Sequence, residues 1–181
     1  MKVLTTALAG VLIIEPTKFS DDRGYFFESF NQREFEATTG LKKTFVQDNQ
    51  SLSKRNVLRG LHYQLRQPQG KLTRVVSGEV FDVAVDLRRS SATFGRWVGV
   101  ELSHYNCRQL WVPEGFAHGF LVKSETAEVI YKTTTYYAPA DERTILWNDP
   151  TLAIDWPASS SKSLSPRDLA GTPFTAAEVY P

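Results

Sequence analysis

Strand signals run through the chain almost from end to end. Segments 11–15, 25–30, 44–50, 57–64, 72–77, 79–87, 97–102, 109–112, 119–123 and 128–137 are short, rich in β-branched and aromatic residues, and separated by turn formers. The one clear helix signal covers residues 32–39, with Asn31 in place to cap its start and Gly40 to stop it. Strands in series, without intervening helices to make parallel crossovers, predict an antiparallel all-β sandwich or barrel. A jelly roll with a few short helices is the leading architecture. At 181 residues the chain suits one domain, with a core over about residues 40–150.

Alternation supports this layout. In 79–87 the side chains of Phe81, Val83, Val85 and Leu87 share an apolar face, while Val80, Asp82, Ala84 and Asp86 share a mixed one. Beyond Asp149-Pro150 the sequence is rich in Ser and Pro and reads as a tail running over the surface. The N-terminal 15 residues read as a strand pair rather than a signal peptide: Thr5, Thr6 and Gly10 dilute the apolar run, and no cleavage region follows.

Composition narrows the function classes. Aromatic residues at 12% exclude extensive disorder, and 21 basic against 20 acidic residues leave no broad positive face for nucleic acid. No stretch reaches membrane-spanning length, so no membrane partner is expected. The single cysteine, Cys107, cannot form an internal disulfide, which fits a reducing, cytoplasmic setting.

The chemistry-bearing residues are few. His62 sits in Leu58-Arg59-Gly60-Leu61-His62-Tyr63-Gln64, a strand signal interrupted by a glycine. Strict alternation puts Arg59 and His62 on opposite faces, so a bulge at Gly60 is required if both serve one site. His62 then reads either as a base or ligand contact or as a hydrogen-bonded structural histidine. His118 reads first as a residue capping its strand, and His104 as solvated surface. Metal binding by a barrel of this kind wants a His-x-His pair, whereas this chain reads His62-Tyr63-Gln64; no metal site is expected. Tyr131 and Tyr137, six apart, fall on one face if a single strand carries both. They are either an aromatic ladder or a proton donor beside a stacking platform. Lys71 is either a snorkelling surface lysine or, at a barrel mouth, an oxyanion stabiliser.

Several segments resemble the dTDP-4-dehydrorhamnose 3,5-epimerase family: Asp22-Arg23-Gly24-Tyr25-Phe26-Phe27-Glu28, Phe45-Val46-Gln47-Asp48-Asn49, 58–64, Gln69-Gly70-Lys71-Leu72, 78–83, 113–120, Tyr131-Lys132-Thr133-Thr134 and Leu164-Ser165-Pro166-Arg167-Asp168. They follow one order over nearly the whole chain. The resemblance implies a cupin-type jelly roll, assembled as a homodimer and working without metal or organic cofactor. It implies the inversion of C3 and C5 in dTDP-4-dehydro-6-deoxy-D-glucose, on the way to dTDP-L-rhamnose and O-antigen-type glycans. It further implies His62 as general base, Asp168 as its polarising partner, Tyr131 as proton donor and Lys71 beside the ketone oxygen. Contacts to the dTDP-sugar are implied for Arg23, Glu28, Gln47, Asn49, Arg59, His118, Tyr137 and Arg167, with Phe19 and Phe26 stacking on thymine from a partner subunit. The Arg167 position is commonly lysine in the family, a change that keeps charge but alters contact geometry.

Two other readings compete. One is a relative that inverts only C3 or only C5; the other is a non-catalytic cupin that binds nucleotide sugars. Retention of His62, Asp168, Tyr131 and Lys71 together speaks against the second, because binding alone needs no proton relay.

Overall fold

The computed structural model describes residues 1–159 and 161–181. In chain order the strands are β1 (Lys2–Thr5), β2 (Leu12–Glu15), β3 (Phe19–Asp21), β4 (Gly24–Phe26), β5 (Gln47–Lys54), β6 (Leu58–Gln64), β7 (Lys71–Ser77), β8 (Glu79–Asp86), β9 (Trp97–Ser103), β10 (Gln109–Val112), β11 (Phe116–Val122), β12 (Thr126–Thr133) and β13 (Glu142–Thr144). Helix α1 spans Gln32–Thr39 and the one-turn α2 spans Pro166–Leu169. α1 begins and ends where the sequence places it: the Asn31 side chain accepts from Glu34 N, and Gly40 at φ 72° lets its amide close on Glu36 O.

Two antiparallel sheets face each other. One has the order β1-β2-β10-β7-β12-β5, the other β13-β6-β11-β8-β9, and β3-β4 forms a separate hairpin. This is the expected all-β jelly-roll sandwich. Its interior holds Val75, Val80, Val100, Leu110, Phe116, Phe120, Ala127 and Val129, all buried. The outer face of the larger sheet is covered by Phe35 of α1, which meets Trp111 and Phe45 edge to face at centroid distances of 5.9 and 5.5 Å.

Three sequence expectations need correction. First, β12 stops at Thr133, so Tyr131 and Tyr137 do not share a strand; the chain turns at residues 134–138. Secondly, the C-terminal segment is no surface tail. Leu152, Trp156 and Ala177 are buried with Val83, Val85 and Leu87 on the outer face of the smaller sheet. β8 is therefore covered on both faces, buried throughout from Asp82 to Asp86 with Phe81 half-buried, and Asp82 and Asp86 are enclosed on the inner one. Ser160, within that segment, lies outside the described residues. Thirdly, strand limits shift where propensity and pairing disagree. β4 ends at Phe26, freeing Phe30 to pack on Phe35, and β5 runs on through polar Gln50-Ser51-Leu52-Ser53-Lys54 because β12 pairs with it along its whole length. No helix among the described residues is long and apolar enough to cross a membrane.

Candidate active site

The space between the sheets changes character along its length. Apolar side chains fill one end, while Gln47, Asn49, Lys71, Thr73, Asp82, His118 and Tyr131 occupy inward positions toward the other. Register accounts for this: Tyr131 on β12 lies between Asn49 on β5 and Thr73 on β7, and inward positions recur every second residue. The result is an open cleft of about 310 Å³ lined by Arg59, His62, Lys71, His118 and Tyr131, with a smaller recess of about 70 Å³ running on to Tyr137 and Glu142.

His62 reaches this cleft because β6 is irregular. His118 pairs with His62 and Phe120 with Arg59, so β6 carries an extra residue against β11 and both side chains turn to the same side. Gly60 makes this possible at φ 116°. A Cβ there would lie 2.6 Å from Gly119 Cα and 2.7 Å from His118 O, so the two backbones could not approach as they do.

The displaced strand also meets α2. Ser165 caps the helix by accepting from Asp168 N at 3.1 Å, and its hydroxyl donates to Asp168 Oδ2 at 2.8 Å. Asp168 Oδ1 lies 2.6 Å from His62 Nε2 and accepts from Gly60 N at 3.3 Å. Burial would raise the Asp168 carboxyl, but the hydrogen bonds from His62 and Ser165 outweigh it and hold the group below its ordinary range. An ionised carboxylate only accepts, so Nε2 carries the hydrogen and the Nδ1 lone pair is left for chemistry. Burial lowers the His62 pKa despite Asp168, with the charges of Lys71 and Arg167 adding to the shift.

Lys71 is buried, not snorkelling, and its Nζ donates to His62 O at 3.4 Å. Burial pulls its pKa down to about 8, only partly opposed by Asp82. Tyr131 stands on the opposite sheet from His62, and burial raises its phenol pKa against the pull of Arg59. His118 is an interior residue of β11, not a cap, with Nε2 at 2.7 Å from Asp82 Oδ1. Exposed Arg59 is steered by its Nε–H bond to Ser53 Oγ at 2.9 Å. His104 is half-buried rather than solvated, its Nδ1 3.0 Å from Gly78 O.

Other expected contacts separate into two groups. Gln47, Asn49 and Tyr137 line the recess; Arg167 approaches it by an ion pair with Glu142, which also accepts from the Tyr137 hydroxyl at 2.5 Å. Glu142 escaped notice because Asp141-Glu142-Arg143 looks like any charged turn. Arg23, Glu28, Phe19 and Phe26 are not brought to this cleft within one chain. Arg23 pairs with Asp21 at 2.6 Å at the tip of the β3-β4 hairpin, Glu28 accepts from the Asn31 side chain at 3.2 Å, and Phe19 and Phe26 are 64% and 69% exposed. Among the described residues no group of three or more His, Cys, Asp or Glu side chains is arranged to hold a metal ion.

With this geometry in place, comparison with known proteins is specific. The family model for dTDP-4-dehydrorhamnose 3,5-epimerase matches residues 5–176. The chain is 59% identical to the dTDP-4-dehydrorhamnose 3,5-epimerase of Pseudomonas aeruginosa over 181 residues, covering 100% of each. It is 60% identical to that of Salmonella typhimurium over 171 residues, covering 94% of this chain and 93% of the relative. Among solved structures, the dTDP-6-deoxy-D-glucose-3,5-epimerase of Legionella pneumophila in complex with dTDP-4-keto-L-rhamnose superposes with a TM-score of 0.95 at 51% identity, covering 98% of this chain and 94% of that one.

Proposed function

Because the chain belongs to the dTDP-4-dehydrorhamnose 3,5-epimerase family, we propose that the cleft between His62 and Tyr131 is where it inverts the sugar carbons of its dTDP-sugar substrate. The enzyme is an epimerase of the isomerase class, acting on C3 and C5 of dTDP-4-dehydro-6-deoxy-D-glucose to give dTDP-4-dehydro-L-rhamnose. The observation that carries the site assignment is the Asp168–His62 pair, 2.6 Å apart, facing Tyr131 across the cleft from the opposite sheet.

The chemistry follows from the ketone at C4. Carbons 3 and 5 both flank it, so removal of either proton leaves an electron pair that moves onto O4 as an enolate. His62 Nδ1 takes the proton, while Asp168 fixes the tautomer and stabilises the imidazolium. Lys71 supplies positive charge beside O4, in a buried setting where that charge counts most. The enolate collapses by taking a proton from the Tyr131 hydroxyl on the other face, and configuration inverts. Solvent then returns a proton to the phenolate and removes one from the imidazolium. Arg59 and Arg167 suit the pyrophosphate through directed, charge-assisted bonds, Asn49 and His118 suit sugar hydroxyls, and Tyr137 offers a ring to the nucleotide.

Arg23, Glu28, Phe19 and Phe26 complete the site from a second copy in a homodimer. The support is the hairpin itself, which exposes two phenylalanines beside Tyr25, a grouped aromatic surface of the kind a subunit interface covers. Light scattering should find a dimer; a fully active monomer would overturn this assignment. A cytoplasmic setting, with neither nucleic acid nor membrane as partner, fits the balanced charge and the free, buried Cys107.

Product analysis by NMR with dTDP-4-dehydro-6-deoxy-D-glucose tests the reading, and inversion at one carbon alone would assign the chain to a narrower activity. The same assay run across pH tests the groups. The base must be neutral, and the His62 pKa is lowered, so the acid limb of kcat/KM should lie below 6.5. Lys71 must be charged, so activity should fall as pH rises through about 8, while the raised Tyr131 phenol stays protonated. Lys71→Arg should move the alkaline limb upward if it retains activity; an unmoved limb would assign that titration to another group.

A further inference from the structure

Beyond Thr133 the turn at residues 134–138 leaves the sheet, yet its main chain is held residue by residue. Gln69 Nε2 donates to Thr135 O at 2.8 Å and Gln64 Nε2 to Tyr136 O at 3.2 Å; Tyr137 N donates to Gln47 Oε1 at 3.0 Å and Ala138 N to Gln64 Oε1 at 2.8 Å. Four successive residues are thus tied by side-chain amides from β5, from β6 and from the loop that enters β7. We propose that these three glutamines form a cradle that presets the Tyr137 ring for the nucleotide, with Gln64 as its central positioning residue. The proposal rests on the reading of Tyr137 as a nucleotide contact.

Gln64 is 3% exposed and fully committed. Its Nε2 also donates to Gln67 O at 2.8 Å, and its own main-chain oxygen accepts from the Tyr180 hydroxyl at 2.5 Å. It must accept from one amide and donate to two carbonyls at once, which a neutral carboxamide does and a carboxylate cannot. The cradle also revises Gln47: with Oε1 on Tyr137 N and Nε2 on Asn49 Oδ1 at 2.8 Å, its amide is engaged before any substrate arrives. Meanwhile Tyr136 and Tyr137 as residues stay 67% and 50% exposed, so a tethered backbone carries two side chains that are still accessible. A turn ordered in advance does not have to be ordered by the ligand, so its hydrogen bonds appear as affinity.

The test is Gln64→Glu, nearly isosteric, which sets carboxylate oxygen against the Tyr136 and Gln67 carbonyls. Calorimetric Kd for dTDP and KM for the sugar nucleotide should both rise by roughly tenfold or more, with kcat falling less than KM rises. Amide exchange at Tyr137 and Ala138 should quicken. In a Tyr137→Ala background, which should itself weaken dTDP, Gln64→Glu should add almost no further loss. Equal losses with and without the Tyr137 ring would overturn the cradle while leaving Tyr137 as a contact. Undiminished dTDP affinity in Tyr137→Ala would instead overturn the reading of that ring, and the proposal with it. Should Gln64→Glu fail to fold, Gln69→Ala, which removes one of the two bonds to Thr135 O and leaves that from the Thr133 hydroxyl at 2.9 Å, gives a smaller rise in Kd to be judged by the same coupling. An unchanged Kd in Gln69→Ala would then count against the cradle.

Discussion

His62→Ala is expected to stop epimerisation at both carbons and, with it, the exchange of substrate hydrogen for deuterium in D2O. Both effects share one cause, because neither enolate forms until a proton leaves carbon, and His62, which lines the cleft, keeps a free Nδ1 once Nε2 is tied to Asp168. Loss of a positioned base typically costs about 10²–10⁴-fold, and the lowered His62 pKa means the wild-type ring is already in its basic form at neutral pH. Asp168→Asn should be milder but still severe. The imidazole stays, but the buried negative charge that orients it and stabilises its protonated form is gone, and the bonds from Gly60 N and Ser165 lose an ionised acceptor. Exchange at the wild-type rate in His62→Ala would show that another group removes the proton.

What the sequence disclosed about this site depended on how local the signal was. The helix at Gln32–Thr39 was legible to the residue because both caps, Asn31 and Gly40, directly flank the segment. The bulge at Gly60 was legible because two useful side chains three apart cannot share a strand face without one, and the register shift between β6 and β11 falls there. The C-terminal segment was not legible. Its apolar residues, among them Leu152, Trp156 and Ala177, follow no period, since they cover a sheet from outside without joining it. Asp168 in that segment stood out only by family resemblance, because nothing in Ser165-Pro166-Arg167-Asp168 says that a strand over a hundred residues earlier needs its carboxylate. Tyr137 shows the opposite case: the strand reading was wrong, yet the ring still reaches the recess, because glutamine amides fold the turn back where a ladder would have carried it onward.

Tyr131→Phe is expected to separate proton removal from inversion. Tyr131 belongs to the larger sheet and His62 to the smaller, so a sugar ring lying in the cleft between them meets the two groups from opposite sides. Deleting only the hydroxyl keeps the aromatic ring and the shape of the cleft, and it leaves the His62–Asp168 pair and Lys71 untouched. The base still takes the C5 proton and Lys71 still supports charge on O4, but the enolate now finds its nearest acid on the face the proton left. Reprotonation by the imidazolium restores the starting configuration, and solvent exchange at Nδ1 makes the returned hydrogen deuterium. In D2O, recovered substrate should therefore gain deuterium at C5 while L-configured product falls by about 10²–10⁴-fold, the usual cost of a lost positioned acid. The double outcome distinguishes a missing acid from a damaged fold, because a damaged fold would lose exchange as well. Normal C5 inversion in Tyr131→Phe would make Tyr137 or water the donor and remove Tyr131 from the reaction.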